Sequence, residues 1–521
     1  MKGKSVCVVN DLTLEEQAHL YSTARSVKEQ LSRGNFPTVD SRKCAYLMFF
    51  EDSTRTKESF RNAAETLNFR TNIFDSASSS LNKFETLNDT VRMLCGYTAM
   101  QSVFVIRSKM EGLCKSLVDA MTDYSTRIGI EPPAFLNAGD GKHEHPTQEF
   151  LDEFSFLEQL GGSRESIHIA LVGDLQFGRT IHSKADGLRI FRKVIVDLIA
   201  PTELQLPGAY WNKMKMNGFS MNTFSSLDEY LSDPSRVAPI LYFTRLQLER
   251  MDRSTLAKEA ELRVATTLRM NMLSQLPRGA KIYHPLPRHG ETPEVPFEVD
   301  KTEFNGYDEQ SRNGYFVRTA LLGLLTGIYE DVVDISSGPT KIDNPSPRSN
   351  ASVEVPSSSV NRFFATAAES SKQLTAWIEV TFPQGTCPSK VRKAISRMRV
   401  LSNTDIEDGF CQVSKNKGFH TIPLGLVSDP EWLNYFFSCF SGCSPTLVFE
   451  HSKGVFRSVS SEAPLVVKGL KGLACPNSAC VSHPDSKQRD VPTVFESSLI
   501  APQKFACRYC EREVSGIEMF A

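Results

Sequence analysis

The stretch F-F-E-D-S-T-R-T-K-E-S-F, Phe49 to Phe60, decides how the chain is read. Leu47 to Phe50 is an apolar run that reads as the end of a buried strand, while Ser53, Thr54 and Thr56 suit the N-cap and first turn of a helix. A helix start presents backbone N–H groups left unsatisfied by the helix itself, at the positive end of its dipole. An anionic oxygen set there meets donors already in place. Arg55 adds a forked, permanently charged donor. A plainer reading competes on equal terms here, because Ser and Thr are common helix caps. S-T-R-T would then be a surface cap beside a solvated arginine.

Working outward, the periodicity alternates between strand and helix. Leu14 to Leu31 has helical spacing, Lys57 to Leu67 continues from the cradle as a helix, and Thr71 to Asp75 reads as a strand. Ser76 to Thr86 is polar and reads as a loop. Ser102 to Ile106 is a short apolar strand ending in Arg107, at the carboxyl end where open parallel sheets place ligands. Pro133 to Asn137 leads through A-G-D-G to H-E-H-P-T-Q, His143 to Gln148, and then to a helix over Glu149 to Leu160. A second region opens with the strand I-H-I-A-L-V at Ile167 to Val172. It continues with strands at Lys193 to Ile199, Ile240 to Phe243 before T-R-L-Q-L-E-R, and Lys281 to Tyr283 before H-P-L-P-R. Alternation of this kind predicts α/β architecture, with two doubly wound parallel-sheet units. A helix over Asn313 to Tyr329 closes this half, and its apolar stripe reads as core.

Ser336 to Ser359 holds four prolines and eight serines and reads as a linker without packed structure. Beyond it, strands at Leu374 to Phe382 and Leu447 to Glu450 and a basic-faced helix at Ser389 to Arg399 predict a small α+β domain. The last fifty residues are organised by cysteines. Cys475 and Cys480 form one close pair, and Cys507 and Cys510 another, which suits tetrahedral structural Zn2+ standing in for a hydrophobic core. The expected domains are 1–150, completed by a helix at 312–331, then 151–311, a linker at 336–361, an α+β domain at 362–470 and a zinc domain at 471–521.

At 521 residues, 40% apolar and 23% charged, the chain has the composition of a multi-domain globular protein. A net charge of −2 gives no reason to expect nucleic acid or an anionic membrane as partner. The segment Ser461 to Ala521 balances seven Lys/Arg against seven Asp/Glu, so the cysteine module lacks the basic excess that nucleic acid favours. The apolar run at the amino terminus is short for a signal peptide and no span approaches the length of a membrane helix, so a cytoplasmic protein is expected.

The candidate site residues sit at strand or loop ends. The first unit contributes Ser53, Thr54, Arg55, Thr56, Arg107, His145 and Gln148, and the second Arg179, Arg245 and Gln247. So many cationic and amide donors, without an acidic metal cluster, predict substrates with several negative charges. There is no G-x-S-x-G elbow and no cysteine beside a candidate base, which favours transfer by positioning and electrostatics over a covalent nucleophile.

These motifs identify a family. S-T-R-T at Ser53 to Thr56, H-P-T-Q at His145 to Gln148 and H-P-L-P at His284 to Pro287 resemble those of the transcarbamoylases across residues 1 to 330. H-P-L-P, the Ser80 and Lys83 of S-L-N-K-F-E-T-L, and T-R-L-Q at Thr244 to Gln247 resemble the aspartate branch rather than the ornithine branch. C-P-N-S-A-C and C-R-Y-C-E resemble the zinc domain of that branch's regulatory chain, here fused behind the catalytic region.

The resemblance implies transfer of a carbamoyl group from carbamoyl phosphate to L-aspartate, without an organic cofactor. Ser53 to Thr56 would hold the phosphate with Arg55 and Arg107, and Thr56, Arg107 and His145 would face the carbonyl oxygen. Gln148 and the carbonyls of Pro285 and Leu286 would hold the carbamoyl NH2, and Arg179, Arg245 and Gln247 the aspartate carboxylates. Glu51 would bridge to Arg179 and Arg250 on closure. Ser80 and Lys83 would reach a neighbouring subunit's site in a trimer-based homo-oligomer. In Arg362 to Leu470 the family's usual Val-Ile-Asp-His stretch is not found, so the zinc module is expected to be structural and nucleotide regulation is not expected. A transcarbamoylase for another amino acid, and an inactive scaffold keeping the fold, remain as alternatives.

Overall fold

The protein is described from a computed structural model that covers residues 1–35, 43–74, 85–97 and 102–329 of its first half. In the second half it covers the backbone of 375–381, 389, 410–414, 417–422, 446–451 and 454–459, then 466–468 and 473–520 apart from 489, 499–503 and 517. Two compact units divide the chain, Met1–Ser336 and Ser337–Ala521.

The first unit opens with α1 (Leu14–Ser32), started by a capping box in which Thr13 and Glu16 each accept the other's backbone N–H. There follow β1 (Cys44–Phe49), α2 (Thr54–Thr66), β2 (Arg70–Phe74), α3 (Leu87–Gly96), β3 (Ser102–Ser108), α4 (Leu113–Ile128), β4 (Ala134–Asp140) and α5 (Pro146–Gln159). The strands form one parallel sheet in the order β2-β1-β3-β4. C-A-Y-L-M-F of β1 is almost wholly buried, as a strand covered on both faces must be.

The second sheet is built from β5 (Ser166–Val172), α6 (Arg179–Gly187), β6 (Lys193–Ile199), α7 (Gly208–Met216), β7 (Ser220–Phe224) and α8 (Leu227–Leu231), then β8 (Ile240–Phe243), α9 (Arg253–Leu256), α10 (Glu259–Thr266) and β9 (Lys281–Tyr283). Its parallel order is β7-β6-β5-β8-β9. The edge strand β7 escapes sequence reasoning because S-M-N-T-F is polar and largely uncovered.

Each sheet reverses its winding once, between β1 and β3 in the first and between β5 and β8 in the second. Crevices open at such points beyond the carboxyl ends of the strands. Phe49 pairs with Arg107 at the first and Val172 with Phe243 at the second. The loops leaving these strands carry S-T-R-T, Arg107, Arg179 and T-R-L-Q.

The closing helix α11 (Tyr307–Leu325) returns to pack on α1, α2 and α5. It starts earlier than the expected 312 and stops before 331. Asp308 and Glu309 in its first turn suit the positive helix end, and Gly327, at φ 71°, turns the chain after Leu325. The expected division at 150/151 runs through α5, whose helical periodicity is unbroken there and which also packs on α6.

In the second unit, β10 (Thr375–Thr381), β11 (Phe410–Ser414), β12 (Lys417–Ile422), β13 (Thr446–His451) and β14 (Gly454–Val459) form an antiparallel sheet in the order β11-β12-β10-β13-β14. The strands expected at 374–382 and 447–450 are β10 and β13. A smaller antiparallel sheet follows, from β15 (Val466–Lys468), β16 (Val494–Ser497), β17 (Phe505–Cys507) and β18 (Glu513–Val514). Because β15 pairs with β16, the cysteine-bearing sheet begins before the expected 471. The expected linker at 336–361, and the helix at 389–399 apart from Ser389, lie outside the described residues.

Candidate active site

A cleft of about 630 Å³ opens where the two crevices of the first unit face each other. Three helices begin on it. Ser53 to Thr56 bring the start of α2, His145 and Gln148 the start of α5, and Gly178 to Thr180 the start of α6. Their unsatisfied N–H groups and positive dipole ends suit an anion. Ser53, the N-cap of α2, makes no side-chain capping bond. The plain capping reading needs that bond, and its absence favours the anion cradle.

Cations ring the same space. Arg55, Arg107, Arg179, Arg245 and Arg318 all line the cleft, with Gln148 and Gln247 as amides and His284 to Pro287 as its further wall. Every expected site residue of the catalytic half is therefore gathered here except Ser80 and Lys83, which lie outside the described residues. Arg107 donates from Nη1 to the Ala138 carbonyl at 3.0 Å, and Arg179 from Nη1 to the Gly141 carbonyl at 3.0 Å. Glu51 Oε2 stands 3.5 Å from both Arg107 Nε and Arg179 Nη1. Arg179 is thus one expected partner of Glu51, and Arg107 is a second that the sequence reading did not expect. Arg250 donates to the carbonyls of Phe177 and Gly141.

The crowding of cations sets the electrostatics. Burial and the neighbouring Arg179 push Arg107 down to about 9, with Glu51 opposing the shift. Burial, then Arg107, Arg179 and Arg318, hold His145 well below the ordinary histidine range. A neutral imidazole follows near pH 7, able to donate one N–H without carrying charge. Gly139, at φ 113°, makes the cluster possible: a Cβ there would lie 3.0 Å from Arg107 Nη1, 3.2 Å from Arg179 Cζ and 3.3 Å from His145 Cδ2.

Two buried groups missed by the sequence reading position these donors. Asp174 accepts from Phe177 N at 2.9 Å and from Gln247 N at 3.0 Å, tying the loop after β5 to the loop after β8. Arg318 sits fully in the α11 stripe, donates to Ser59 Oγ at 2.6 Å and covers the Phe60 ring. The sequence signal was there, since a lone arginine inside an apolar helix stripe needs a reason to be buried.

In the second unit Cys475, Cys480, Cys507 and Cys510 are buried with all four sulfurs within 4.8 Å of one another. The Cys475–Cys510 and Cys480–Cys507 sulfur separations are both 3.7 Å. Tetrahedral zinc with sulfur at about 2.3 Å places its ligands about 3.8 Å apart, so the thiol set fits that ion. Ser482 Oγ lies 3.3 Å from Cys480 Sγ as an outer contact. Among the described residues no helix is long and apolar enough to cross a membrane.

Comparison with known proteins agrees with this geometry. Residues 4–158 match the aspartate/ornithine carbamoyltransferase carbamoyl-P binding domain and residues 165–325 the Asp/Orn binding domain of the same family. Residues 466–520 match the metal binding domain of the aspartate carbamoyltransferase regulatory chain. Protein PyrBI of Thermotoga maritima is 39% identical, over 100% of this chain and 99% of its own. Protein PyrBI of Treponema denticola is 38% identical, over 98% of this chain and 96% of its own. Among solved structures, aspartate transcarbamoylase from Trypanosoma cruzi in complex with carbamoyl phosphate and aspartate superposes with a TM-score of 0.53 at 31% identity, covering 62% of this chain and 96% of that one. The catalytic subunit of M. jannaschii aspartate transcarbamoylase does so with a TM-score of 0.53 at 30% identity, covering 63% and 99%. The chain thus belongs to the aspartate/ornithine carbamoyltransferase family, and carries behind its catalytic region the metal-binding domain of an aspartate carbamoyltransferase regulatory chain.

Proposed function

We propose that the chain is an aspartate carbamoyltransferase. It moves the carbamoyl group of carbamoyl phosphate onto L-aspartate, giving N-carbamoyl-L-aspartate and phosphate for de novo pyrimidine biosynthesis. The observation that carries this is the single cleft in which an anion cradle faces a second set of arginine and amide donors. One set suits a phosphate and the other a dicarboxylate. The ornithine side chain ends in a cation, which Arg179 and Arg245 would repel.

The roles are those the family resemblance implies, and the donor types suit them. Phosphate oxygens rest on the N–H groups and hydroxyls of Ser53, Thr54 and Thr56, with Arg55 and Arg107 matching their charge. Thr56, Arg107 and the neutral His145 donate to the carbonyl oxygen, where negative charge grows as the amine attacks. Gln148 and the carbonyls of Pro285 and Leu286 accept from the carbamoyl NH2, and Arg179, Arg245 and Gln247 clamp the two carboxylates. The amine nitrogen bonds to the carbonyl carbon, the bond to the phosphate oxygen breaks, and the departing phosphate takes the amine proton.

Residues 1–150, carried on to the end of α5, form with the closing helix the carbamoyl-phosphate domain in this reading, and the residues from there to 311 the aspartate domain. Ser80 and Lys83 complete a neighbouring subunit's site in a cytoplasmic, trimer-based homo-oligomer. Zn2+ on the four cysteines would shape the carboxyl-terminal sheet without entering the reaction. The deciding assay is carbamoyl transfer from carbamoyl phosphate to L-aspartate with L-ornithine alongside; transfer to ornithine alone, or to neither, refutes the reading.

A further inference from the structure

Beneath the cleft lies a fully buried polar network that the reaction does not use directly. Asp152, on α5 one turn after Gln148, has no exposed surface and gathers four donors. Gln148 Nε2 and Gln310 Nε2 donate to its Oδ1 at 2.8 and 2.6 Å. Lys184 Nζ and Tyr242 Oη donate to its Oδ2 at 2.8 and 2.7 Å. Lys184 is itself fully buried and also donates to Glu149.

The Oδ1 side of this network has a direction. The two ends of a side-chain amide are nearly alike in shape, and only its partners decide which faces where. With its NH2 spent on Asp152, Gln148 has its carbonyl oxygen left for the cleft that it lines. The same oxygen of Asp152 takes the NH2 of Gln310, whose Oε1 accepts from His284 N at 2.9 Å. His284 Nδ1 then accepts from Leu286 N at 2.8 Å, which ties the backbone of the H-P-L-P turn to that ring. Leu286 holds φ 50°, a conformation a leucine keeps only where its surroundings impose it.

We infer that Asp152 is a positioning residue whose Oδ1 orients both halves of the carbamoyl-amide site, the Gln148 carbonyl directly and the H-P-L-P carbonyls through Gln310 and His284. The inference rests on the proposed reading of Gln148, Pro285 and Leu286 as the acceptors of the carbamoyl NH2. A flipped Gln148 would set one NH2 against another, and the acceptor-only oxygen prevents it. The charge on Lys184 and the hydroxyl of Tyr242 hold the carboxylate in place from the far side, where neither touches the cleft.

Asp152→Asn tests this, because an amide at 152 can meet Gln148 with either end. Carbamoyl transfer by the full chain should lose about 100-fold in kcat, the scale of a small misplacement at a reacting centre. Carbamoyl phosphate affinity, measured by calorimetry, should fall while the affinity for inorganic phosphate stays at the wild-type value, because the phosphate cradle is untouched. A general loosening would move both affinities. Tyr242→Phe removes one donor from Oδ2, together with the hydroxyl's bond to Thr180, and leaves both Oδ1 bonds in place, so it should cost stability with a far smaller loss of kcat than Asp152→Asn. Should Asp152→Asn alone fail to fold, Asp152→Asn with Lys184→Met removes the Asp152–Lys184 pair together and leaves Glu149 as a carboxyl that burial already holds toward its neutral form. Should that also fail, Gln310→Met cuts only the arm to His284 and should still lower kcat.

Wild-type kcat in a folded variant of Asp152 or in Gln310→Met overturns the inference, as does an equal kcat loss in Tyr242→Phe. A wild-type chain that binds phosphate but transfers no carbamoyl group refutes the functional reading instead.

Discussion

Glu51 Oε2 and Arg179 Nη1 stand 3.5 Å apart, joining the strand end that leads to S-T-R-T at Ser53–Thr56 with the first residue of α6 beside the second sheet. The same oxygen is 3.5 Å from Arg107 Nε. One carboxylate therefore lies between two guanidiniums that repel each other and that come from the two different sheets lining the cleft.

Glu51→Gln removes that charge and keeps the shape. Truncating one partner of a partly buried charge pair costs about 2 kcal/mol or more, and about 1.4 kcal/mol is tenfold. The expected result is a rise in the aspartate KM of at least about tenfold, larger than any change in carbamoyl phosphate KM. Unchanged aspartate kinetics would show that the bridge does not couple the two halves.

Gly139→Ala places a methyl among Arg107, Arg179 and His145 at a backbone φ of 113°. Strain of about 1–3 kcal/mol is expected from the backbone alone. The variant should unfold at lower denaturant concentration and lose at least about tenfold in kcat/KM for carbamoyl phosphate. Wild-type values for both would mean that the cluster has room the distances deny.

Glu153 lies fully buried beside Glu149, takes the Tyr21 hydroxyl, and is pushed up to about 7 by burial, with Tyr21, Lys184 and Glu149 opposing and Asp152 adding to the shift. A carboxyl whose folded value lies above its unfolded one holds its proton more tightly when folded. Its penalty is absent below about pH 4.5, grows as pH rises to about 7, and stays constant above. At pH 8 it amounts to about 3 kcal/mol. Glu153→Gln, which cannot ionise, should gain stability over wild type as pH rises from 5 to 8 in urea titrations. A difference independent of pH would show that Glu153 is ionised in the fold.

The four-cysteine site should hold one zinc ion per chain by elemental analysis, and Cys507→Ser should lose it. Metal binding at such sites is folding free energy, about 10–16 kcal/mol for isolated zinc modules. Amides of 494–497 and 505–507 should lose hydrogen-exchange protection when the metal is chelated. Retained protection would mean that the sheet stands on its own core.

Mixed assemblies test the sharing of sites. Arg55→Ala and Lys83→Ala chains, each inactive alone, should recover activity when combined, because one site in the mixture can draw both intact residues. No recovery in verified mixed oligomers would place Lys83 outside a neighbour's site.

What the sequence by itself determined was local. The strand-to-helix junctions at Ser53, His145 and Arg179, the alternation that makes two parallel sheets, and the paired cysteines are all contained in short windows, because caps, periodicity and ligand spacing are properties of consecutive residues. The tertiary structure decided what depends on partners far along the chain. It showed Ser53 free of capping duty, put Arg318 of a supposed core stripe against the cleft, and drew Gln148, Lys184, Tyr242 and Gln310 onto one oxygen pair of Asp152. A buried charge reads as an anomaly in one dimension. Only the packing of α5, α6, β8 and α11 around it shows which donors satisfy it, because that compensation comes from residues up to 158 positions away.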